Sequence, residues 1–153
     1  MNTILLIIAL VVFITYIGSM YLLYDFLPSI SDSYYKLPNK WLFPTFISTL
    51  AIIFWVVTLT SLMFFACAFL LFVGLAPAFK EDMTDKVHSI GAIGGIALGF
   101  ASMWVDFGLW YLPWAMVMFS LFAVLIWKIK NHTWWIEIAA FLLIILGLFI
   151  VKY

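Results

Sequence analysis

Charge is what this 153-residue chain has least of. Asp, Glu, Lys and Arg together make up 9% of it, against about 25% in an ordinary soluble domain. Arginine is absent. All seven basic residues are Lys, they offset seven acids, and they form no basic run. Recognition of a phosphate backbone needs clustered positive charge, so nucleic acid is excluded as a partner. Cysteine occurs once, as Cys67 inside an apolar run, which rules out an internal disulfide and reads as a small core residue. No GxSxG, HExxH, P-loop or CxxC pattern occurs. No cofactor is expected, and the reading leans away from an enzyme without closing that option.

What the chain has instead is hydrocarbon. Hydrophobic residues make up 68% of it and the mean hydropathy is +1.24. A chain of this length leaves much of its surface exposed whatever its fold, so lipid must be the solvent for much of it. The expected fold is all-α, a polytopic transmembrane helical bundle forming a single domain over residues 1–153. The N-terminal apolar run from Thr3 to Leu23 lacks a basic flank and is longer than the roughly 7–15 residues of a signal peptide's apolar core. It reads as a retained first helix.

A crossing needs about 20 apolar residues. The expected helices are about 3–24, 41–58, 61–78, 89–105, 109–127 and 134–151. The first loop, Asp25 to Lys40, holds Pro28 and Pro38, which discourage helix, and Tyr34 and Tyr35, which suit an interface. Lys80, Glu81, Asp82, Asp85 and Lys86 read as a solvated loop, and Asp106 as a tight corner or cap. No charge occurs between Lys40 and Lys80. As one helix those 39 residues would be about 58 Å long, nearly twice the hydrocarbon thickness, so two helices are expected with a turn near Thr58, Thr60 and Ser61.

Lysine positions test the count. Six crossings put Lys36, Lys40, Lys80, Lys86, Lys128 and Lys130 on one side, with only Lys152 opposite. The five-helix alternative splits them four to three. Lysine asymmetry favours six crossings and puts loops one, three and five in the cytoplasm; the expected location is the plasma (inner) membrane. Trp41, Trp104, Trp110, Trp127, Trp134 and Trp135 fall near expected helix ends, as an aromatic belt requires, and Trp55 and Trp114 sit further in.

The same topology brings Asp32 of loop one, His88 at the start of the fourth helix and Glu137 at the start of the sixth to one face. Ionisable groups where hydrocarbon begins are functional candidates by default. A polar pocket of Asp32, His88, Glu137 and Ser31 is therefore expected to bind a ligand. Each member also has a structural reading: His88 as a cap, Glu137 as an acid favoured by the helix dipole, and Asp32 with Ser29, Ser31 and Ser33 as a polar turn. Spacing gives no support to a metal site at His88 and His132. Gly91, Gly95 and Gly99 stack at four-residue intervals in a glycine zipper, which fits close helix packing within the bundle, a dimer contact, or a slot for a lipid chain.

The segment Pro28 to Asp32, followed by Pro38 and Leu42-Phe43, resembles the first-loop signature of the damage-regulated autophagy modulator family. That six-helix pattern is shared with GPI-anchor-remodelling proteins and a bacterial group of unknown function. Val87 to Ala92 is similar to the family's His-x-x-Gly-Ala at its fourth helix, and Trp135-Ile-Glu137 to the acid opening its last. Tyr34 and Tyr35 stand where small residues are usual. The resemblance implies six helices and a role close to membrane lipids: binding, sensing, distribution or remodelling.

Two functional expectations follow. In the first, the chain binds a membrane lipid, with its head at Asp32, His88 and Glu137 and its tails along the glycine seam. In the second it is a non-catalytic membrane subunit that docks to a partner membrane protein, or to a second copy, through its helices. A transporter fits less well, because no ionisable residue lies mid-span and the halves show no repeat.

Overall fold

The structure, a computed structural model, describes residues 2–75, 81–126 and 130–152. Lys80, Trp127 and Lys128 lie outside the described residues, as do the expected helix ends at 78 and 127. Among the described residues the fold is all-helical, with seven helices and no strand. They are α1 (Asn2–Tyr24), a one-turn α2 (Ser33–Lys36), α3 (Leu42–Thr58), α4 (Ser61–Leu75), α5 (Glu81–Val105), α6 (Tyr111–Leu121) and α7 (His132–Lys152). A π-helical turn, Phe122–Ile126, continues α6.

The sequence explains where these helices begin and end. Pro44 and Pro113 each occupy the third position of a helix, where a missing N–H leaves no helical bond unmade. Helix α3 stops at Thr58 because Leu59 turns left-handed, with φ 55°, and its N–H closes on the Trp55 carbonyl at 2.8 Å. The uncharged stretch thus splits where its polar trio sits. Gly108, with φ +70°, makes the corner between α5 and α6.

Two expectations are corrected. Helix α5 starts at Glu81, eight residues before Ser89, so the backbone expected as a loop over Glu81 to Lys86 is helical. Charge was read there as solvation, yet Glu and Lys are good helix formers and acids suit a first turn. Trp134 belongs to no aromatic belt: it is 1% exposed, deep in the packing of α7. Trp41, Trp104 and Trp110 are exposed as expected.

Helices pack in a ring. Helix α1 lies against α3 and α7, α3 against α4, α4 against α5, and α6 flanks α5 and α7. Leu6, Ala9, Phe13 and Met20 form the narrow inward stripe of α1. Phe13 meets Phe46 and Phe141 at ring separations of 6.2 and 5.6 Å, and Tyr16 stacks on Phe46 at 3.9 Å, joining α1, α3 and α7. Gly91, Gly95 and Gly99 are buried. A Cβ on Gly91 would stand 3.1 Å from the Phe69 carbonyl oxygen, and one on Gly95 would be 3.1 Å from Leu70. Small residues let α5 approach α4 this closely.

The exterior is as apolar as the interior. Ile4, Ile7, Val11, Ile14, Ile52, Phe65, Phe72, Ile93 and Met118 all point outward. A soluble monomer seldom exposes so continuous an apolar surface. Among the described residues three helical segments, Thr3–Tyr24, His88–Val105 and His132–Val151, are long and apolar enough to cross a membrane. Leu42–Thr58, Ser61–Leu75 and Tyr111–Leu125 are apolar and shorter.

Candidate functional site

The first loop folds back over one end of the bundle and is anchored there by its own apolar residues. Leu27, Ile30 and Leu37 are buried. Its backbone is tied to α7: the Ile30 N–H donates to Glu137 Oε2 at 2.6 Å, and the Trp134 N–H donates to the Pro28 carbonyl at 3.1 Å. Asn131, left-handed with φ 60°, donates from Nδ2 to the Phe26 carbonyl at 2.7 Å. The loop is also tied to α1, because the buried Ser33 hydroxyl bonds the Tyr16 hydroxyl and the Ile30 carbonyl, both at 2.6 Å.

Under this loop lies a cavity of about 350 Å³. Asp32, His88, Glu137 and Ser31, the four residues expected to share a pocket, all line it. So do Ser29, Tyr35, Ser89 and Thr133, with Ala92 and Ile93 as its apolar floor. Asp32 is also held in a polar turn, where Ser29 Oγ donates to Asp32 Oδ2 at 2.7 Å and accepts the Asp32 N–H at 3.2 Å. The turn orients the carboxylate without removing it from the cavity wall. Glu137 lies in the second turn of α7, and its partner is the Ile30 N–H rather than the start of its own helix. Among the described residues no group of three His, Cys, Asp or Glu side chains is placed to hold a metal ion. His132 is exposed and does not line the cavity.

A second space adjoins the cavity. Ala92, Ile93, Thr133 and Glu137 also line the top of an apolar groove of about 570 Å³ between α5, α6 and α7. Ile96, Ala97, Phe100, Ala101 and Trp104 form its α5 wall, and Pro113, Met116 and Val117 its α6 wall. From Ala92 to Trp104 the helix rises about 18 Å, more than half of a roughly 30 Å hydrocarbon core. The glycine face points elsewhere: Gly91 and Gly95 meet α4, and Gly99 meets Ile144 of α7. The expectation that lipid tails lie along the glycines is therefore corrected, since neighbouring helices already fill that face.

The far end of the bundle is built differently. The Ser102 hydroxyl, fully buried, donates to Asp106 Oδ2 at 2.7 Å and meets the Thr60 hydroxyl at 3.1 Å. This joins the α3–α4 turn to the α5–α6 corner, so both lie opposite loop one and the cavity.

Sequence reasoning missed Tyr35, Ser89, Thr133 and the groove. Ser89 follows His88, and Thr133 precedes Glu137 by one helical turn, a spacing that shares a face. Ala92, Ala97 and Ala101 mark the groove side of α5, next to the glycine face. The chain is thus an all-α protein with helices able to cross a membrane and a polar cavity adjoining an apolar groove. Compared with protein-family models, with curated proteins and with solved structures, it matches none.

Proposed function

We propose that this chain is a six-pass membrane protein that binds a membrane lipid, its head in the cavity under loop one and a tail in the groove between α5, α6 and α7. The observation that carries this reading is that the two spaces adjoin, sharing Ala92, Ile93, Thr133 and Glu137 in their linings. An apolar cleft with a few convergent polar groups is the usual form of a small-molecule site. A polar end joined to an apolar channel suits an amphiphile.

Six crossings are part of the proposal. Helices α3, α4 and α6 are short by themselves, at 17, 15 and 11 residues. The π-helical turn lengthens α6 by five residues. Their outward residues, among them Ile52, Phe65, Phe72 and Met118, suit lipid as well as those of α1. The lysine distribution favours loop one and the cavity at the cytoplasmic face, and the plasma (inner) membrane is the proposed location. The likeness of Pro28 to Asp32, Val87 to Ala92 and Trp135 to Glu137 to the damage-regulated autophagy modulator family supports the same lipid-linked role. Docking to a partner through the glycine seam is less well supported, because Gly91, Gly95 and Gly99 already meet helices of their own chain.

Native mass spectrometry of the detergent-purified protein tests the reading. Wild type retains a phospholipid, and Ala97→Trp, which fills the groove from an exposed position, releases it while the protein stays folded. Equal lipid retention by the two proteins would remove the proposal.

A further inference from the structure

We infer that the cavity selects lipids whose head carries a protonated amine over lipids whose head is purely anionic. This rests on the lipid-binding reading and adds to it the chemistry of the head. Two carboxylates line the cavity, and each commits one oxygen: Asp32 Oδ2 to the Ser29 hydroxyl at 2.7 Å, and Glu137 Oε2 to the Ile30 N–H at 2.6 Å. The second oxygen of each makes no hydrogen bond among the described residues. No Lys or Arg is among the described lining residues. Lys40, in the same loop, is engaged elsewhere: its Nζ donates to the Tyr34 and Tyr35 carbonyls at 2.9 and 3.0 Å and lies over the Tyr34 ring.

A purely anionic head brings negative charge beside two carboxyl groups, with His88 and Tyr35 the other titratable side chains among the described lining residues. An ammonium group brings three donors and no acceptor, which matches one uncommitted oxygen on each of two carboxyl groups. Such charge-assisted bonds are roughly twice as strong as neutral ones. Ser31, Ser89 and Thr133 supply hydroxyls in the same space, suited to the phosphate or ester oxygens that join an amine to its tail.

The test titrates the purified full chain in detergent with didecanoyl phosphatidylethanolamine and, separately, didecanoyl phosphatidylglycerol, scoring bound lipid by native mass spectrometry. The two share tails and phosphate and differ in carrying an amine or a diol. The ethanolamine lipid should bind about tenfold tighter, as one charge-assisted contact implies. Asp32→Asn and Glu137→Gln, which keep the acceptors used by Ser29 and Ile30, should each bring the ratio toward one without weakening the glycerol lipid. Equal binding of both lipids that Ala97→Trp abolishes overturns the amine inference and leaves the lipid site standing. Binding of both that Ala97→Trp leaves intact overturns the lipid site and this inference together.

Discussion

The two ends of this bundle use the same kinds of polar residue to opposite effect. At the corner end, Thr60, Ser102 and Asp106 close on one another, and the buried hydroxyl has both a donor role and a neighbour. At the loop end, the carboxyl groups of Asp32 and Glu137 each make one hydrogen bond among the described residues, and both side chains line a cavity. Among polar groups in an apolar bundle, those that satisfy one another hold the fold together. Those that line the cavity beside the apolar groove are the ones the proposed function assigns to a ligand.

Helix α5 repeats the contrast around its circumference. Gly91, Gly95 and Gly99 are buried against neighbours, while Ile93 and Ala97, on the adjoining face, are exposed along the groove. Packing and opening are thus divided between two faces of one helix.

Substitutions can break this contrast. The largest effect is expected from Gly91→Leu, because even a Cβ there stands 2.9 Å from Val73 Cγ2 and 3.1 Å from a backbone oxygen. Overpacking of this kind costs about 1–3 kcal/mol or more, so thermal unfolding in detergent should begin well below wild type. Ser102→Val comes next. It removes the bridge between the two turns and should cost about 2 kcal/mol, with bound lipid unchanged. Ser29→Ala loosens the turn that orients Asp32 and should cost about 1 kcal/mol while also weakening lipid retention, a pairing Ser102→Val does not share. Smallest is a gain. Leu59 is left-handed and 73% exposed, and Leu59→Gly should stabilise the α3–α4 hairpin by about 1 kcal/mol, read as a higher unfolding temperature.

Much of this arrangement could be read from sequence because bilayer thickness fixes helix length. The split of the uncharged stretch between Thr58 and Ser61 followed from that length alone, although nothing but three hydroxyl residues marked the turn. The expected alternation of helices put Asp32, His88, Glu137 and Ser31 at one end, and in the structure they line one cavity. What could not be read was azimuth. When every face of a helix is apolar, periodicity does not say which side looks inward, so Trp134 was assigned to the interface and lies in the core. For the same reason the groove along Ala92, Ala97 and Ala101 went unseen while the glycines beside it stood out. The charged start of α5 was misread because acids at a helix N-terminus and acids in a loop look alike in composition.

The central claim is that the cavity and the groove are one site for one lipid, distinct from the general apolar exterior. A phospholipid bearing a photoactivatable diazirine on its acyl chain measures this most directly, with adducts mapped by peptide mass spectrometry. Adducts should concentrate on residues 92–104 of α5 and 113–117 of α6, and disappear in Ala97→Trp. Labelling spread evenly over Ile4, Ile7, Val11 and the other outward residues of α1, and unchanged by that substitution, would contradict the account.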